Sequence, residues 1–328
     1  MSVDPAGPTG DPLARLARAY AAAREEAARA IVGQEQAFEL LFAALLAGGH
    51  VLLEGVPGTA KTLLAQTLAA LVAGTFRRVQ FTPDLMPSDV VGTTVFDPRA
   101  VEFHFRGGPV FCHVLLADEV NRAPAKTQAA LLEAMEERRV TVDGTSHALP
   151  EPFLVIATQN PVEYEGTYPL PEAQLDRFMF KLAVDHGSAE VEREVVRRHL
   201  AGFERGRLES AGLRPTLSPA DLLACRADLG RIAVEPDVLA YIIEIGRATR
   251  RHPDLQLGSS VRGPLALALG ARALAALRGR PYVTPDDVKE LVGPALRHRI
   301  ILKPDAEIEG LTADDVLQRT LGGVPVPR

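Results

Sequence analysis

Cysteine, long apolar runs and surplus positive charge are scarce in this chain of 328 residues. Its two cysteines, Cys112 and Cys225, are too few for a disulfide framework and fit a reducing compartment. No apolar run reaches the length of a membrane span. The formal net charge is −6, which argues against a surface built mainly for wrapping nucleic acid. We therefore expect neither a membrane span nor nucleic acid as a partner.

The first residues do not have the pattern expected of a signal peptide. These residues, MSVDPAGPTGDP, contain no basic segment followed by an apolar one, and their proline and glycine predict a loose tail. Together with the low cysteine content, this pattern predicts a cytoplasmic protein. The whole chain is 47% hydrophobic and 24% charged, as folded globular proteins are, and its length allows about two domains.

Short apolar strands alternate with helices in the first part of the chain. Strands are predicted over 50–55, 76–81, 113–119, 153–160 and 177–184, and helices over 13–30, 35–47, 61–73 and 125–137. This alternation is typical of a parallel sheet covered by helices on both faces. After about residue 187 helix-start signals such as Ser218-Pro219 and Thr284-Pro285 take over. An α/β domain followed by a smaller all-helical domain is therefore expected.

The change from alternating strands and helices to helices alone places a domain boundary near 185–210. We divide the chain into a flexible N-terminal tail and helix (1–30), an α/β core with its connecting helix (31–209) and a helical domain (210–328).

One stretch is close to a phosphate-binding loop. Residues 53–62 read LEGVPGTAKT, against the pattern G-x-x-x-x-G-K-[ST], with alanine in place of the second glycine. The stretch lies between a predicted strand and a predicted helix, as the motif requires. The residues expected to bind phosphate are Gly55, Val56, Pro57, Gly58, Thr59, Ala60, Lys61 and Thr62.

Each part of this loop has an expected role. Backbone N–H groups and the helix N-terminus would face the phosphate oxygens. Lys61 would reach the β- and γ-phosphates, and Thr62 would hold Mg²⁺. Pro57 removes one donor but stiffens the loop. Ala60 is tolerable if its backbone φ is negative.

Polar side chains end two of the predicted strands. Asp118 and Glu119 close the strand VLLADE, where Asp118 would hold the Mg²⁺ shell and Glu119 would polarise the attacking water as general base. Asn160 ends the next strand and could orient that water, although an asparagine before Pro161 could simply start a turn. Arg177 and Arg262 offer guanidinium groups suited to phosphoryl transfer, but each alone also fits a surface salt bridge.

These segments resemble the AAA+ ATPases, and specifically the MoxR family. The resemblance covers roughly residues 31–302 and is carried by IVGQE (31–35), LEGVPGTAKT (53–62), QFTPDLMPSDVVG (80–92), GPVFCHVLLADEVNRAPAKTQAALLEAMEE (108–137), ATQNPVEYEGTYPLPEAQLDRFMF (157–180) and PDLQLGSSVRGPLAL (253–267). It implies an AAA+ core followed by a helical lid, and an ATPase that uses ATP and Mg²⁺. Alanine before the loop lysine is common in the family, so the resemblance implies a working loop.

The resemblance also implies roles for single residues. Lys61 and Thr62 match the Walker A positions, Asp118 and Glu119 match Walker B, and Asn160 matches sensor 1. Arg177 matches the arginine finger that acts on a neighbouring subunit, and Arg262 matches sensor 2 in the lid. Ile31, Val32 and Gly33 match the segment lining the adenine pocket, and Gln80 is a candidate for the polar switch residue that restrains Glu119. Val261 departs from the proline usual in the family, so the start of the helix carrying Arg262 could differ.

Two insertions fit the same group of proteins. Residues 139–149 alternate around Asp143-Gly144, a hairpin signal, and match the pre-sensor-1 hairpin. Residues 96–109 match the insert in helix 2. Such loops face the pore or the partner in related machines, but both could be ordinary surface hairpins. The family further implies a homo-oligomer, expected to be a hexameric ring, that remodels a protein client, often with a partner carrying a von Willebrand factor A domain.

Three functional hypotheses stay open at this point. The first is an ATP-hydrolysing chaperone that matures or activates protein complexes, with cofactor or metal insertion as one example. The second is the ATPase subunit of a chelatase-type complex or a related motor, which DNA-stimulated hydrolysis would reveal. The third is a nucleotide-gated scaffold that binds ATP without hydrolysing it, and a measured basal ATPase activity would separate it from the other two.

Overall fold

The computed structural model describes residues 12–56, 58–160, 168–185, 187–202 and 212–327. The helices are α1 (Pro12–Ala27), α2 (Glu35–Ala47), α3 (Lys61–Leu71), α4 (Pro87–Val91), α5 (Ala125–Glu137), α6 (Glu172–Leu175), α7 (Ala189–Leu200), α8 (Pro219–Asp228), α9 (Pro236–Arg251), α10 (Arg262–Leu277), α11 (Pro285–Leu296), α12 (Pro304–Ile308) and α13 (Ala313–Gly322). The strands are β1 (Val51–Glu54), β2 (Phe76–Gln80), β3 (Gly92–Asp97), β4 (Glu102–Gly107), β5 (Val114–Asp118), β6 (Arg139–Val142), β7 (Thr145–Ala148), β8 (Leu154–Gln159), β9 (Phe180–Ala183), β10 (Leu255–Leu257) and β11 (Ile301–Leu302).

Five parallel strands form the central sheet in the order β2–β5–β8–β1–β9. The sheet has a hydrophobic cluster on each face, and successive residues of a strand alternate between the two clusters. On β5, for example, Leu116 joins one cluster while Leu115 and Ala117 join the other. A period of two on both faces is what a sheet covered by helices on both sides requires. The predicted α/β core is confirmed.

The second domain is helical, as predicted, and it also contains a small sheet. Helices α8 to α13 make up most of it, and β10 and β11 pair antiparallel with Leu255 opposite Leu302. Strands of three and two residues are too short to show a periodic pattern, which is why the sequence did not reveal them. Ser218 and Thr284 cap α8 and α11 by accepting hydrogen bonds from backbone N–H groups, as the helix-start signals predicted.

Helix α1 lies against both domains. It ends at Ala27, three residues before the predicted end, and buries one face that includes Leu16, Tyr20 and Ala23. The Tyr20 ring lies 5.2 Å from the Phe42 ring on α2. The helix contacts α3 in the core and α8 and α10 in the second domain. These side chains belong to a hydrophobic cluster that continues from the core into the second domain.

Two antiparallel hairpins project from the core. In β6–β7, Asp143 and Gly144 have φ of 50° and 78°, and positive φ at both central residues is what a two-residue type I′ turn needs. The predicted hairpin at 139–149 is therefore confirmed. The second hairpin, β3–β4, begins at Gly92 and contains most of the insert at 96–109. Phe105 of β4 stacks on His147 of β7 with ring centroids 3.8 Å apart, so an aromatic contact joins the hairpins.

Candidate active site

The loop before α3 follows the end of β1. A side chain at Gly55 is excluded because a Cβ there would lie 2.2 Å from the carbonyl oxygen of Val184. The Lys61 ammonium donates to the carbonyl oxygens of Gly55 at 2.6 Å and Val56 at 2.8 Å, and the Thr59 hydroxyl also donates to Val56 at 2.9 Å. The lysine is thus held over its own loop. Pro57 lies outside the described residues.

The condition stated for an alanine at position 60, a negative φ, is not met. The φ of Ala60 is 66° and its ψ 19°, in the left-handed region, because the loop turns sharply into the first residue of α3 at this point. A non-glycine residue in this conformation costs roughly 1–2 kcal/mol. The carbonyl of Ala60 accepts the N–H of Leu64 at 2.9 Å and so starts the helical ladder. Alanine is accommodated at this position, but under backbone strain.

Asp118 ends β5 and its two carboxylate oxygens have different partners. Thr158 donates its hydroxyl to Oδ1 at 2.6 Å. Arg78 donates to Oδ2 through Nη2 at 2.6 Å and through Nε at 3.1 Å. Asp118 and Thr62 line the same cavity of about 340 Å³, and a carboxylate with a hydroxyl at a helix start is an oxygen donor set that fits Mg²⁺.

Glu119 follows in a left-handed conformation, with φ of 55°. Its N–H donates to the Thr158 hydroxyl at 2.8 Å. Its carboxylate oxygen Oε2 accepts from Gln80 Nε2 at 2.7 Å and from Arg122 Nη1 at 3.1 Å. Strained backbone of this kind is typical of functional sites. The contact between Gln80 and Glu119 is the one that the switch assignment needs, and the switching itself stays a prediction.

Asn160 is the last of the predicted polar residues around this cavity. It follows β8, is buried, and lines the cavity that also receives Lys61, Asp118 and Glu119. Partial burial lowers the pKa of the Lys61 ammonium, while the carboxylates of Asp118 and Glu119 act in the opposite direction. A cation, two carboxylates and an amide therefore share one cavity at the carboxyl ends of parallel strands, the usual ligand-binding edge of an open α/β sheet.

The predicted adenine segment lies beside this cavity. Ile31 and Val32 line a small pocket together with Ala60 and with Val195 and Arg198 of α7. At Gly33, φ is 74° and a Cβ would lie 2.5 Å from a methyl carbon of Val191 on α7. The residues that α7 contributes are not evident from the sequence, because nothing in the pattern shows that this helix folds back over the segment.

Arg177 and Arg262 share one partner, Glu136, away from Lys61. Arg177 Nε and Arg262 Nη2 each donate to Glu136 at 2.6 Å. These hydrogen bonds lower the pKa of the Glu136 carboxyl, and the bond from Arg177 has the larger effect. Both arginines line a cavity of about 260 Å³ with Asp176 and Arg299. Among the described residues this cavity shares no lining residue with the one around Lys61. Ser260 accepts the N–H of Arg262 at the start of α10, with Val261 in helical conformation.

Sequence reasoning missed Arg78 and Thr158. Both are neighbours of predicted residues at strand spacing, since Arg78 precedes Gln80 by two residues and Thr158 precedes Asn160 by two. Side chains two residues apart on a strand share a face. Strand periodicity could therefore have brought both into the candidate site.

Chaperone MoxR1 of Mycobacterium tuberculosis is 45% identical to this chain over 312 residues, which cover 92% of this chain and 81% of the relative. The chain belongs to the MoxR family of AAA+ ATPases. Protein YeaC of Bacillus subtilis is 46% identical over 91% of this chain and 92% of its own length. A crystal structure of a protein from Cytophaga hutchinsonii is 40% identical and superposes with a TM-score of 0.89 over 97% of both chains.

Two family models match parts of this MoxR family member. The ATPase family associated with various cellular activities (AAA) matches residues 50–180, and the AAA lid domain matches residues 247–320. The resemblance read from the sequence, an AAA+ core followed by a helical lid, is thereby confirmed. Within the described ranges, no helix combines the length and apolar character that a membrane span requires.

Proposed function

We propose that this protein binds ATP with Mg²⁺ and hydrolyses it to ADP and phosphate. The observation that carries the proposal is the single cavity in which Lys61, Asp118, Glu119 and Asn160 converge beside the N-terminus of α3. Phosphate binding is favoured there by the helix dipole and by backbone N–H groups. When bound, Mg²⁺ neutralises charge on the phosphate oxygens.

Each side chain has a distinct task in this proposal. Lys61 leaves the carbonyl oxygens of its own loop and pairs with the phosphates, while Thr62 and Asp118 hold the metal. Glu119 takes a proton from the attacking water, and Asn160 holds that water in line. Ile31 and Val32, with Gly33 beside them, bound the pocket for the adenine ring. The low exposure of Asp118 and Asn160 keeps bulk water away and strengthens these interactions.

We further propose a hexameric ring whose active sites lie at subunit interfaces. The support is the position of Arg177 and Arg262, which line a cavity separate from that of Lys61. The two guanidinium groups share one exposed carboxylate. They are therefore available to the γ-phosphate of a nucleotide bound by a neighbouring subunit. An arginine finger supplied in this way is worth about 10³–10⁵ in rate.

The cellular role proposed is that of a cytoplasmic chaperone-like remodeller that matures or activates protein complexes, with cofactor or metal insertion as one form. Its support is the name of the M. tuberculosis relative, a chaperone. A partner with a von Willebrand factor A domain is part of this proposal. The hairpins are the candidate client contacts, because Val101 and Phe103 of β3–β4 are 72% and 73% exposed.

The substitution Glu119→Gln tests the ATPase proposal. It keeps the size of the side chain but removes the base, so ATP binding should persist while turnover falls about 10²–10⁴-fold. Lys61→Ala should instead lose nucleotide binding. Glu133→Gln, on the exposed face of α5, is the matched control and should leave both unchanged. Near-normal turnover by Glu119→Gln would show that Glu119 is not the general base. The same variant, used as a trap for affinity capture, would identify the client.

A further inference from the structure

We infer that Arg78 is a positioning residue that couples the metal site at Asp118 to the catalytic base Glu119. The inference rests on the proposed function. Arg78 and Gln80 lie two residues apart on β2 and share a face of that strand, and Gln80 is paired in register with Asp118 on β5. This register brings the metal ligand, the arginine and the candidate switch residue side by side.

A continuous chain of hydrogen bonds links the two carboxylates. Arg78 donates to Asp118 Oδ2 through Nη2 at 2.6 Å, and the same nitrogen donates to Gln80 Oε1 at 3.2 Å. Gln80 then donates through Nε2 to Glu119 Oε2 at 2.7 Å. The guanidinium therefore fixes the orientation of the Gln80 amide, and that orientation points the amide N–H₂ at Glu119.

The two oxygens of Asp118 differ in how easily they can be released to a metal. Oδ1 accepts from Thr158, which is buried and also accepts the N–H of Glu119, so this oxygen is firmly held. Oδ2 accepts only from Arg78 among the hydrogen bonds described, and the Arg78 side chain is 49% exposed. A cation that takes Oδ2 therefore competes with Arg78.

This competition gives the site a coupling step. If Oδ2 of Asp118 were taken by a cation, Arg78 would lose this contact and would no longer hold the Gln80 amide in place. The amide could then turn away from Glu119, which would keep its contact with Arg122. Arg78 thus delays activation of the base until the metal is in place. The two equilibria are linked. The factor by which the contact with Arg78 is favoured at Asp118 is the factor by which Arg78 weakens metal binding there.

The test measures Mg²⁺-dependent binding of a fluorescent, non-hydrolysable ATP analogue. Arg78→Gln should lower the Mg²⁺ concentration for half-maximal binding by about two- to fivefold, a modest effect because half-exposed ion pairs are weak. Binding with Mg²⁺ chelated should be unchanged. Arg77→Gln is the matched control, because it makes the same substitution one residue earlier, on the other face of β2, and should leave both quantities unchanged.

A second measurement separates the arginine's two contacts. Arg78→Lys keeps a charge beside Asp118 but loses the fork that reaches Gln80. It should leave the Mg²⁺ requirement close to that of the wild type and raise basal ATP turnover only while Mg²⁺ is below saturation, because the base is then no longer restrained before the metal arrives. Adding Gln80→Ala to it should change turnover no further than Gln80→Ala does alone, whereas additive effects would overturn the link.

Other outcomes overturn the inference in distinguishable ways. Weaker analogue binding by Arg78→Gln when Mg²⁺ is chelated would make Arg78 a phosphate ligand. An unchanged Mg²⁺ requirement would leave Arg78 a structural residue while the proposed ATPase stands. If the wild-type protein fails to bind the analogue at all, the proposed function fails, and the inference fails with it.

Discussion

Arg177 and Arg262 donate to the two oxygens of one carboxylate, with Arg177 Nε on Glu136 Oε2 and Arg262 Nη2 on Glu136 Oε1, each at 2.6 Å. One arginine follows α6 in the core and the other begins α10 in the lid. The two guanidinium groups therefore form one surface feature built by both domains, and a rotation of the lid on the core would separate them.

If this pair serves a neighbour's nucleotide, two inactive variants should restore each other. Arg177→Ala and Glu119→Gln should each hydrolyse ATP poorly, because each lacks one half of a shared site. Mixed together, they should regain part of the activity, since some interfaces then combine an intact Glu119 with an intact Arg177. ATPase assays of the mixture over a range of protein concentrations test this, and recovery should rise with concentration.

A second mixture is the control for that experiment. Lys61→Ala and Glu119→Gln both damage the half of the site that holds the nucleotide, so no interface in their mixture is complete. It should stay inactive. If Arg177→Ala and Glu119→Gln co-assemble without recovering activity, Arg177 acts within its own subunit or is structural.

The strain at Ala60 predicts a stabilising substitution. Ala60→Gly should raise the free energy of unfolding by up to about 1 kcal/mol, because glycine adopts the left-handed region freely although it also gains entropy when unfolded. Urea unfolding measures the change. Ala70→Gly, in helical conformation within α3, should instead lower it by about 1 kcal/mol. Equal losses from both variants would mean that Ala60 is unstrained.

The β6–β7 hairpin should couple turnover to a partner without taking part in hydrolysis. Val140 and Leu149 are buried in the core, so only residues 141–146 should be replaced, by Asn-Gly joining the cross-strand neighbours Val140 and His147. Basal ATPase should stay within about twofold of the wild type, while stimulation by a client captured with Glu119→Gln should be lost. Loss of basal activity in a folded variant would contradict this separation.

His50 predicts a loss of stability in mild acid. Burial, with the nearby Arg138 charge second, lowers its pKa from 6.5 to about 3, and the ring accepts the Val155 N–H at 2.9 Å and contacts the Met135 carbonyl at 3.1 Å. The unfolded chain takes up a proton below pH 6.5 that the folded chain refuses down to about pH 3. The stabilisation is therefore complete above pH 6.5 and is lost as the pH falls towards 3, by up to about 1.4 kcal/mol per pH unit.

Urea unfolding at about pH 7.5 and about pH 5.5 measures this loss, with His50→Gln as the comparison. The variant should be less stable at neutral pH and should lose less stability between the two conditions. Another buried histidine, His298, has its pKa lowered by burial and by Arg299, so some dependence on pH should remain. If both proteins lose the same stability between the two pH values, His50 is protonated as easily in the folded chain as in the unfolded chain.

The phosphate side of the site could be read from the sequence because it depends on local order. Asp118 and Asn160 lie where apolar strands end, and Lys61 follows the loop after another such strand. Parallel strands bring those ends to one edge of the sheet. The same reasoning placed α5 at residues 125–137 without error. Hairpin β6–β7 could be predicted from its turn dipeptide, because the two residues of the turn set its geometry.

The parts that could not be predicted depend on contacts between distant residues. Arg262 meets Glu136 across 126 positions of sequence, and no periodicity records such a contact. The left-handed conformation of Ala60 comes from the geometry of the loop and contradicts the preference of alanine. The role inferred for Arg78 needs the register between β2 and β5, which a sequence pattern leaves open.

Helix α1 touches α3, which begins with Lys61, and α10, which begins with Arg262. Its Leu16, Tyr20 and Ala23 belong to one buried hydrophobic cluster that also includes residues of α3 and α10. Packed interiors compress little and pass displacements on to their neighbours. If α3 shifted towards bound phosphate, α1 would be in a position to pass that shift on to α10. On the proposed assembly, helix α1 would then link the nucleotide site of one subunit to the arginine pair that faces the next.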